Sequence, residues 1–191
     1  MGETTFYGLP LLTARGHVMT PRAASEQLVV EALKRIGGRA ARVVDVGTGS
    51  GAIAVAIATA APSADVWATD TSRHAVALAR ANARRHGVGD RVSVIHGDLI
   101  DGVPDPIDLV VANLPYLALA EAARFPELAE EPEHAVFAPG DGLGPYRRLL
   151  AACAERLDDN AVVVIQLHRL PLAATGAELR RATARPLLAA A

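Results

Sequence analysis

The residue types best suited to chemistry fall at the ends of short apolar runs. In Val44-Asp45-Val46-Gly47-Thr48-Gly49-Ser50-Gly51-Ala52 a carboxylate sits inside such a run and three glycines alternate after it. Glycines there let the backbone turn sharply and approach a ligand closely, at the positive end of the helix that follows. Gly47, Gly49 and Ala52 satisfy the dinucleotide pattern G-x-G-x-x-G/A, a weak signal on its own. Asp45 argues against a pyrophosphate beside it. A charge in an apolar strand is costly unless paired, and an anion would repel phosphate. An ammonium-bearing ligand, held directly or through water and backbone amides, fits better. Asp70 closes the next apolar run and can accept from two ribose hydroxyls, which more than one nucleotide cofactor presents. Asp98, in His96-Gly97-Asp98-Leu99, is placed to accept from an adenine amino group or to cap a helix. Asn113-Leu114-Pro115-Tyr116 follows the fourth run, where an Asn-Pro turn ending a strand is the bland alternative.

Positioning these groups requires a regular scaffold, and the pattern supplies one. Strands are expected at Val43–Val46, Val66–Thr69, Val92–His96, Ile107–Ala112 and Val162–Leu167. Helices alternate with them through Ala52–Thr59, after Asp70 and around Tyr146–Leu157, with Val76, Ala79 and Ala83 inward and Arg73, Arg80 and Arg84 outward. That alternation implies βαβ units and a doubly wound, Rossmann-like α/β domain with a mostly parallel sheet. Ahead of it, Thr5 to Val18 reads as a hairpin. Thr20-Pro21 reads as an N-cap and first helical residue, and Gly37-Gly38 as the end of that helix. The expected division is an N-terminal hairpin segment over 1–20 and the α/β domain over 21–191.

Length and composition set the outer bounds. The chain has 191 residues, 51% hydrophobic and 21% charged, enough for one domain with one core. A net charge of −2 gives no global case for nucleic acid, and a single cysteine, Cys153, excludes an internal disulfide. No run is long enough for a membrane span, and Met1 to Pro10 does not read as a secretion signal. The expectation is a cytoplasmic protein. The six histidines show no metal-ligand spacing, so no metal site is expected.

In Asn113-Leu114-Pro115-Tyr116 the chain resembles the class I S-adenosylmethionine-dependent methyltransferases that modify planar nitrogens, whose motif reads Asn-Pro-Pro-Tyr. More narrowly, it resembles the HemK-type release-factor glutamine methyltransferases. Pro21-Arg22-Ala23-Ala24-Ser25-Glu26 is similar to that family's Pro-Arg-Pro-Glu-Thr-Glu stretch. Glu131-Pro132, Ala135, Asp141-Gly142-Leu143 and Tyr146-Arg147 are similar to its segment after the catalytic motif, and the likeness runs from about Phe6 to Leu167. It implies transfer of a methyl group from S-adenosylmethionine to the side-chain amide of a glutamine in a translation release factor. Asn113 and Tyr116 would then be catalytic, and Asn113, Leu114, Pro115 and Tyr116 would bind the acceptor. The Asn113 side-chain oxygen and the Leu114 carbonyl would accept the two N–H bonds of a nitrogen whose lone pair is delocalised, with Tyr116 against its flat face. Positioning and electrostatics would then carry the reaction. Asp45, Gly47, Thr48, Gly49, Gly51, Asp70, Asp98, Leu99 and Asn113 would hold the cofactor.

Leu114 stands where the motif has its first proline, so Leu114→Pro is expected to be tolerated or to raise the rate. Only about 20 residues precede the first helix, as in short family members without the N-terminal helical domain, some of which use a small activator subunit. A nucleic-acid methyltransferase acting on a base amino group would want a basic stripe, and Arg15, Arg22 and Arg124 make no obvious one. A catalytically silent methyltransferase-like binding protein is the third reading. After Leu167 the sequence reads as a helix from Leu172 to about Ala184 and an alanine-rich tail, without material for a closing antiparallel hairpin. The sheet is therefore expected to stop at about five parallel strands. The strand-five edge would be covered by the N-terminal segment, the tail, a homodimer partner or an activator subunit.

Overall fold

The computed structural model describes residues 1–167 and, as a backbone strand, 187–190. The chain begins with a hairpin, β1 (Gly2–Phe6) and β2 (Leu9–Thr13), paired antiparallel. Its two-residue loop, Tyr7-Gly8, has φ of 51° and 73°. Positive φ at both positions is the turn whose twist matches a hairpin. Phe6 and Leu11 are buried in the same core as the helices that follow, so the hairpin is packed onto the α/β body.

Helix α1 (Glu26–Ile36) ends at Gly37, whose φ of 56° allows the left-handed cap. Its start differs from the expectation at Thr20-Pro21. Arg22 is extended, Ala23–Ser25 forms a 3-10 turn, and the α-helix begins only at Glu26. The cause is tertiary, because the Thr20 N–H donates to Glu131 Oε2 at 3.0 Å and pulls that stretch away from helical geometry.

The alternation then proceeds through β3 (Ala41–Val46), α2 (Ala52–Ala60), β4 (Ala64–Asp70), α3 (Arg73–Arg85), β5 (Val92–His96) and β6 (Leu109–Ala112). A short strand pair, β7 (Leu117–Ala118) and β8 (Phe137–Ala138), flanks the one-turn helix α4 (Glu133–Val136). Helix α5 (Gly144–Arg156) and β9 (Val162–Gln166) follow. The main sheet has the order β10-β9-β6-β3-β4-β5, with every neighbouring pair parallel.

β10 (Leu187–Ala190) corrects the expectation of five strands. The tail, one of the covers expected for that edge, pairs with β9 in parallel, Leu187 against Val163 through Ala190 against Gln166. The missing signal was β-branching, since the tail strand is built from Leu and Ala. No antiparallel strand closes the main sheet among the described residues. The helix read at Leu172 to Ala184 lies outside them.

Alternate strand residues feed two cores. Val43, Val66, Ala68, Leu109, Val111 and Val164 pack under α1, α2 and α3. Val44, Val46, Val110, Ala112, Val163 and Ile165 pack against Tyr146, Leu149, Leu150 and Cys153 of α5. A sheet buried on both faces explains why its strands read as continuous apolar runs. Helix α2 is buried from Ala52 to Ala58 because it lies between the sheet, α1 and α3. Chain order reverses beside β3: β4 and β5 lie to one side, β6 and β9 to the other. Ligands in such sheets sit at this switch point, outside the carboxyl ends of the strands. Val46 is level with Ala112 in the register, so the glycine turn after β3 and Asn113 after β6 emerge side by side.

Candidate functional site

A cavity of about 270 Å³ opens at the switch point. Its floor is the glycine turn. The Gly47 and Thr48 N–H groups both donate to the Thr69 carbonyl, at 2.9 and 3.0 Å, which ties the turn to β4. Gly47 has φ of 71°, and a Cβ there would lie 2.7 Å from Leu114 Cδ2. Glycine at 47 therefore makes room for the Asn113-Leu114-Pro115-Tyr116 segment across the cleft. Gly51 serves packing, since a Cβ on it would lie 2.9 Å from the Ala79 Cβ of α3. It lines no part of the cavity, whereas Gly47, Thr48 and Gly49 do.

Asp45 also lies beneath the cavity wall, not in it. It is 1% exposed, and its Oδ2 accepts from Thr48 Oγ1 at 2.6 Å and from the Ala54 N–H at 3.1 Å. The carboxylate thus closes the glycine turn and receives an N–H of the first turn of α2. Burial pushes its carboxyl up to about 6, against the lowering effect of the Thr48 and Ala54 bonds. Oδ1 has no partner and is buried. A nearby cation, direct or relayed, is the chemistry this donor set would favour.

Asp70 does line the cavity. Its Oδ2 accepts from the Gly49 N–H at 2.9 Å and its Oδ1 from the Ser72 N–H at 2.8 Å, so the carboxylate is aimed by main chain on both sides. The Thr69 hydroxyl donates to the Leu99 carbonyl at 2.6 Å. Leu99 has φ of 49°, an uncommon conformation for a branched apolar residue. Asp98 and Leu99 both line the cavity, and Asp98 is paired with Arg148 of α5, a partner the sequence did not disclose.

On the opposite wall stand Asn113, Leu114 and Pro115. Asn113 Nδ2 donates to Ser25 Oγ at 2.9 Å. Tyr116 does not line the cavity. It is half-buried, and burial raises its phenol while the Arg22 guanidinium lowers it. The segments that resemble the family's flanking stretches converge on this motif. Arg22 pairs with Glu131 at 3.0 Å, holding the Ser25 turn against the loop after β7. Gly142, with φ of 84°, lets that loop abut the motif, because a Cβ would lie 2.4 Å from the Tyr116 carbonyl oxygen. Arg147 holds Asp141 in a two-pronged pair at 2.9 and 2.7 Å and keeps its carboxyl down at about 2. A further anchor is Asn82 of α3, fully buried. Its Oδ1 accepts from the Leu12 N–H at 2.8 Å, and its Nδ2 donates to the Leu12 and Ser50 carbonyls. A polar residue on the inward face of α3 was the signal for it.

His17 stacks on His74 near the cavity mouth, with centroids 5.1 Å apart. Among the described residues no group of three or more His, Cys, Asp or Glu could hold a metal ion. No described helix is long and apolar enough to cross a membrane.

Residues 23–130 match the family model described as methyltransferase small domain. The chain belongs to this family. A protein from Deinococcus radiodurans named release factor glutamine methyltransferase is 37% identical over 185 residues, which cover 95% of this chain and 65% of its own. A protein of the same name from Gloeobacter violaceus is 41% identical, over 78% of this chain and 54% of its own. The chain thus spans between 54% and 65% of the length of these two relatives. Among solved structures, the hMettl16 catalytic domain in complex with MAT2A 3′UTR hairpin 6 superposes with a TM-score of 0.74 at 17% identity, over 92% of this chain and 67% of its own. Ribosomal protein L11 methylase from Lactobacillus delbrueckii subsp. bulgaricus does so at 0.62 and 21%, over 86% and 70%. At such identities the likeness shows the methyltransferase-type fold.

Proposed function

We propose that this chain is an S-adenosylmethionine-dependent N-methyltransferase acting on the side-chain amide of a glutamine in a protein of the release-factor class. The observation that carries the reading is the Asn113–Ser25 contact at the mouth of the glycine-floored cavity. With Nδ2 engaged by Ser25, the atom Asn113 presents to an acceptor is Oδ1. An oxygen there selects a donor such as an amide N–H₂. The relatives named release factor glutamine methyltransferase supply the substrate class.

The residues present fit the cofactor. Asp70, braced by two N–H groups, is suited to ribose hydroxyls, Asp98 and Leu99 to the base, and the Gly47–Gly49 backbone to close approach. Asp45 would act from below, through Thr48 and the turn amides. When bound, the sulfonium cofactor supplies an electrophilic methyl carbon. The chain then has to hold the weakly nucleophilic nitrogen in one orientation. Asn113 Oδ1 and the Leu114 carbonyl accept its N–H bonds and set two carbonyl dipoles beside the positive charge that develops on it. The acidic run Glu121 to Asp141 has Glu127 and Glu133 exposed, which disfavours a phosphate backbone and supports a protein acceptor. A translation factor as substrate implies a cytoplasmic location.

The test is methyl transfer from labelled S-adenosylmethionine to a bacterial release factor, with duplex DNA and hairpin RNA as competing acceptors. Label on a glutamine of the release factor is expected. Label only on nucleic acid would favour base methylation, and cofactor binding without transfer would favour a silent binding domain.

A further inference from the structure

Resting on that reading, the geometry points to Tyr146 as a positioning residue for the Asn113-Leu114-Pro115-Tyr116 segment, acting through the one N–H that a proline at 114 would lack. Tyr146 is fully buried in α5. Its hydroxyl donates to the Gln166 carbonyl at 2.6 Å and accepts from the Leu114 N–H at 3.1 Å. A hydroxyl has one proton and two lone pairs. The short bond commits the proton to Gln166, at the end of β9, and turns a lone pair toward Leu114. The approach to the Leu114 carbonyl is 3.4 Å, long beside the other two, so that oxygen keeps its acceptor capacity. One phenol therefore links the ends of β6 and β9 and sets the peptide plane of Leu114.

Leu114 is 8% exposed, so its N–H would be buried and unpaired without this partner. The departure from Asn-Pro-Pro-Tyr thus adds an N–H that Tyr146 satisfies. The Leu114 side chain also reaches across to Gly47, within 2.7 Å of where a Cβ would stand, and so spans the two halves of the cleft. On this inference Leu114→Pro should lower the rate, against the expectation from the motif that it is tolerated or raises it. A proline there removes the donor to Tyr146 and the side chain over Gly47.

The experiment is a double-mutant cycle on the full chain with Tyr146→Phe and Leu114→Pro, read by single-turnover methyl transfer and by calorimetric affinity for S-adenosylmethionine. Tyr146→Phe should lower the transfer rate about tenfold with cofactor affinity changed less than about threefold. In the Leu114→Pro background the same change should cost markedly less, because the N–H it serves is gone. Equal costs in both backgrounds would overturn the link. A second readout does not depend on the acceptor. The Leu114 amide should exchange slowly with solvent deuterium in the wild type and at least about tenfold faster in Tyr146→Phe, while amides of β3 and β4 stay protected. An unchanged Leu114 amide would overturn the inference. Slow Leu114 exchange without transfer to any acceptor would sink the functional reading and leave the link standing.

Discussion

On the β3 side of the cleft the main chain does most of the holding. Gly47 and Thr48 are tied to Thr69, Gly49 and Ser72 to Asp70, and Thr48 and Ala54 to Asp45, all between Asp45 and Ser72. On the β6 side the holding is by side chains from far along the chain. Ser25 reaches Asn113 across 88 positions, Tyr146 reaches Leu114 across 32, and Arg22 reaches Glu131 across 109. The first wall is built into strand–turn–helix geometry and can be shaped before the rest of the domain docks. The second exists only when α1, α5 and the loop after β7 are all in place. Damage on the β3 side should therefore appear in stability and cofactor affinity, and damage on the β6 side in turnover.

Asn113→Ala is the largest expected effect. It removes the oxygen assigned to the acceptor nitrogen, and losing one preorganised group of this kind costs about 10²–10³-fold in rate. S-adenosylmethionine affinity should fall by less than about fivefold. A variant that loses cofactor binding in proportion to turnover would put Asn113 on the wrong wall.

The β3 side predicts a pH effect of the opposite sign to the one the Asp141–Arg147 pair would give across the cleft. The folded-state carboxyl of Asp45 is raised to about 6 from an ordinary value of 3.8. Between those two pH values the folded chain holds a proton that the unfolded chain has released. Stability should accordingly fall as pH rises through that window and level off above it, by about 3 kcal/mol in total. Asp45→Asn should flatten this part of the profile in urea unfolding of the ligand-free protein. Parallel profiles for the two proteins between pH 4 and 6 would remove Asp45 from the account.

Two glycines sharpen the same contrast. Gly51→Ala drives a Cβ into α3 at a φ of 81° and should destabilise the fold by about 1–3 kcal/mol. Gly47→Ala meets only the flexible end of Leu114. It should cost less stability, as judged by thermal unfolding, but weaken cofactor binding more. The reverse ranking would mean that the cavity floor is set from elsewhere.

The same contrast explains what could be read in advance. The β3 side was legible in its placement because its glycines, Asp45 and Asp70 lie at fixed offsets from apolar runs; that Gly51 packs against α3 and Asp45 lies beneath the wall was not, since both depend on neighbouring elements. Asn113 was legible from its place after the fourth run. Its supports were not. Nothing around Ser25 or Tyr146 marks a partner 88 or 32 positions away. Thr20-Pro21 looked like a helix start because its pull toward Glu131 is a tertiary contact. β10 was missed for a different reason: Leu and Ala carry little β preference, and the strand forms because β9 offers an open edge.

Ser25→Ala gives the smallest effect and the finest test of the β6 wall. Ser25 is 5% exposed and sits at the end of the 3-10 turn before α1. Removing its hydroxyl leaves Asn113 Nδ2 without its acceptor, so the amide can rotate and present nitrogen where the reaction needs oxygen. The acceptor then meets a correctly oriented Asn113 only part of the time, and turnover should fall about five- to tenfold. That corresponds to about 1 kcal/mol, the scale of one neutral hydrogen bond. Cofactor affinity should move less than turnover, because Ser25 lines the cavity but no atom of the β3 wall is touched. Ser25→Thr keeps an oxygen at the same branch and should restore most of the rate, whereas Ser25→Cys, with a weaker and longer acceptor, should restore little. Loss of turnover in Ser25→Ala with no rescue by threonine would mean that the residue matters for the bend into α1. The orientation of Asn113 would then have to be set by the acceptor itself.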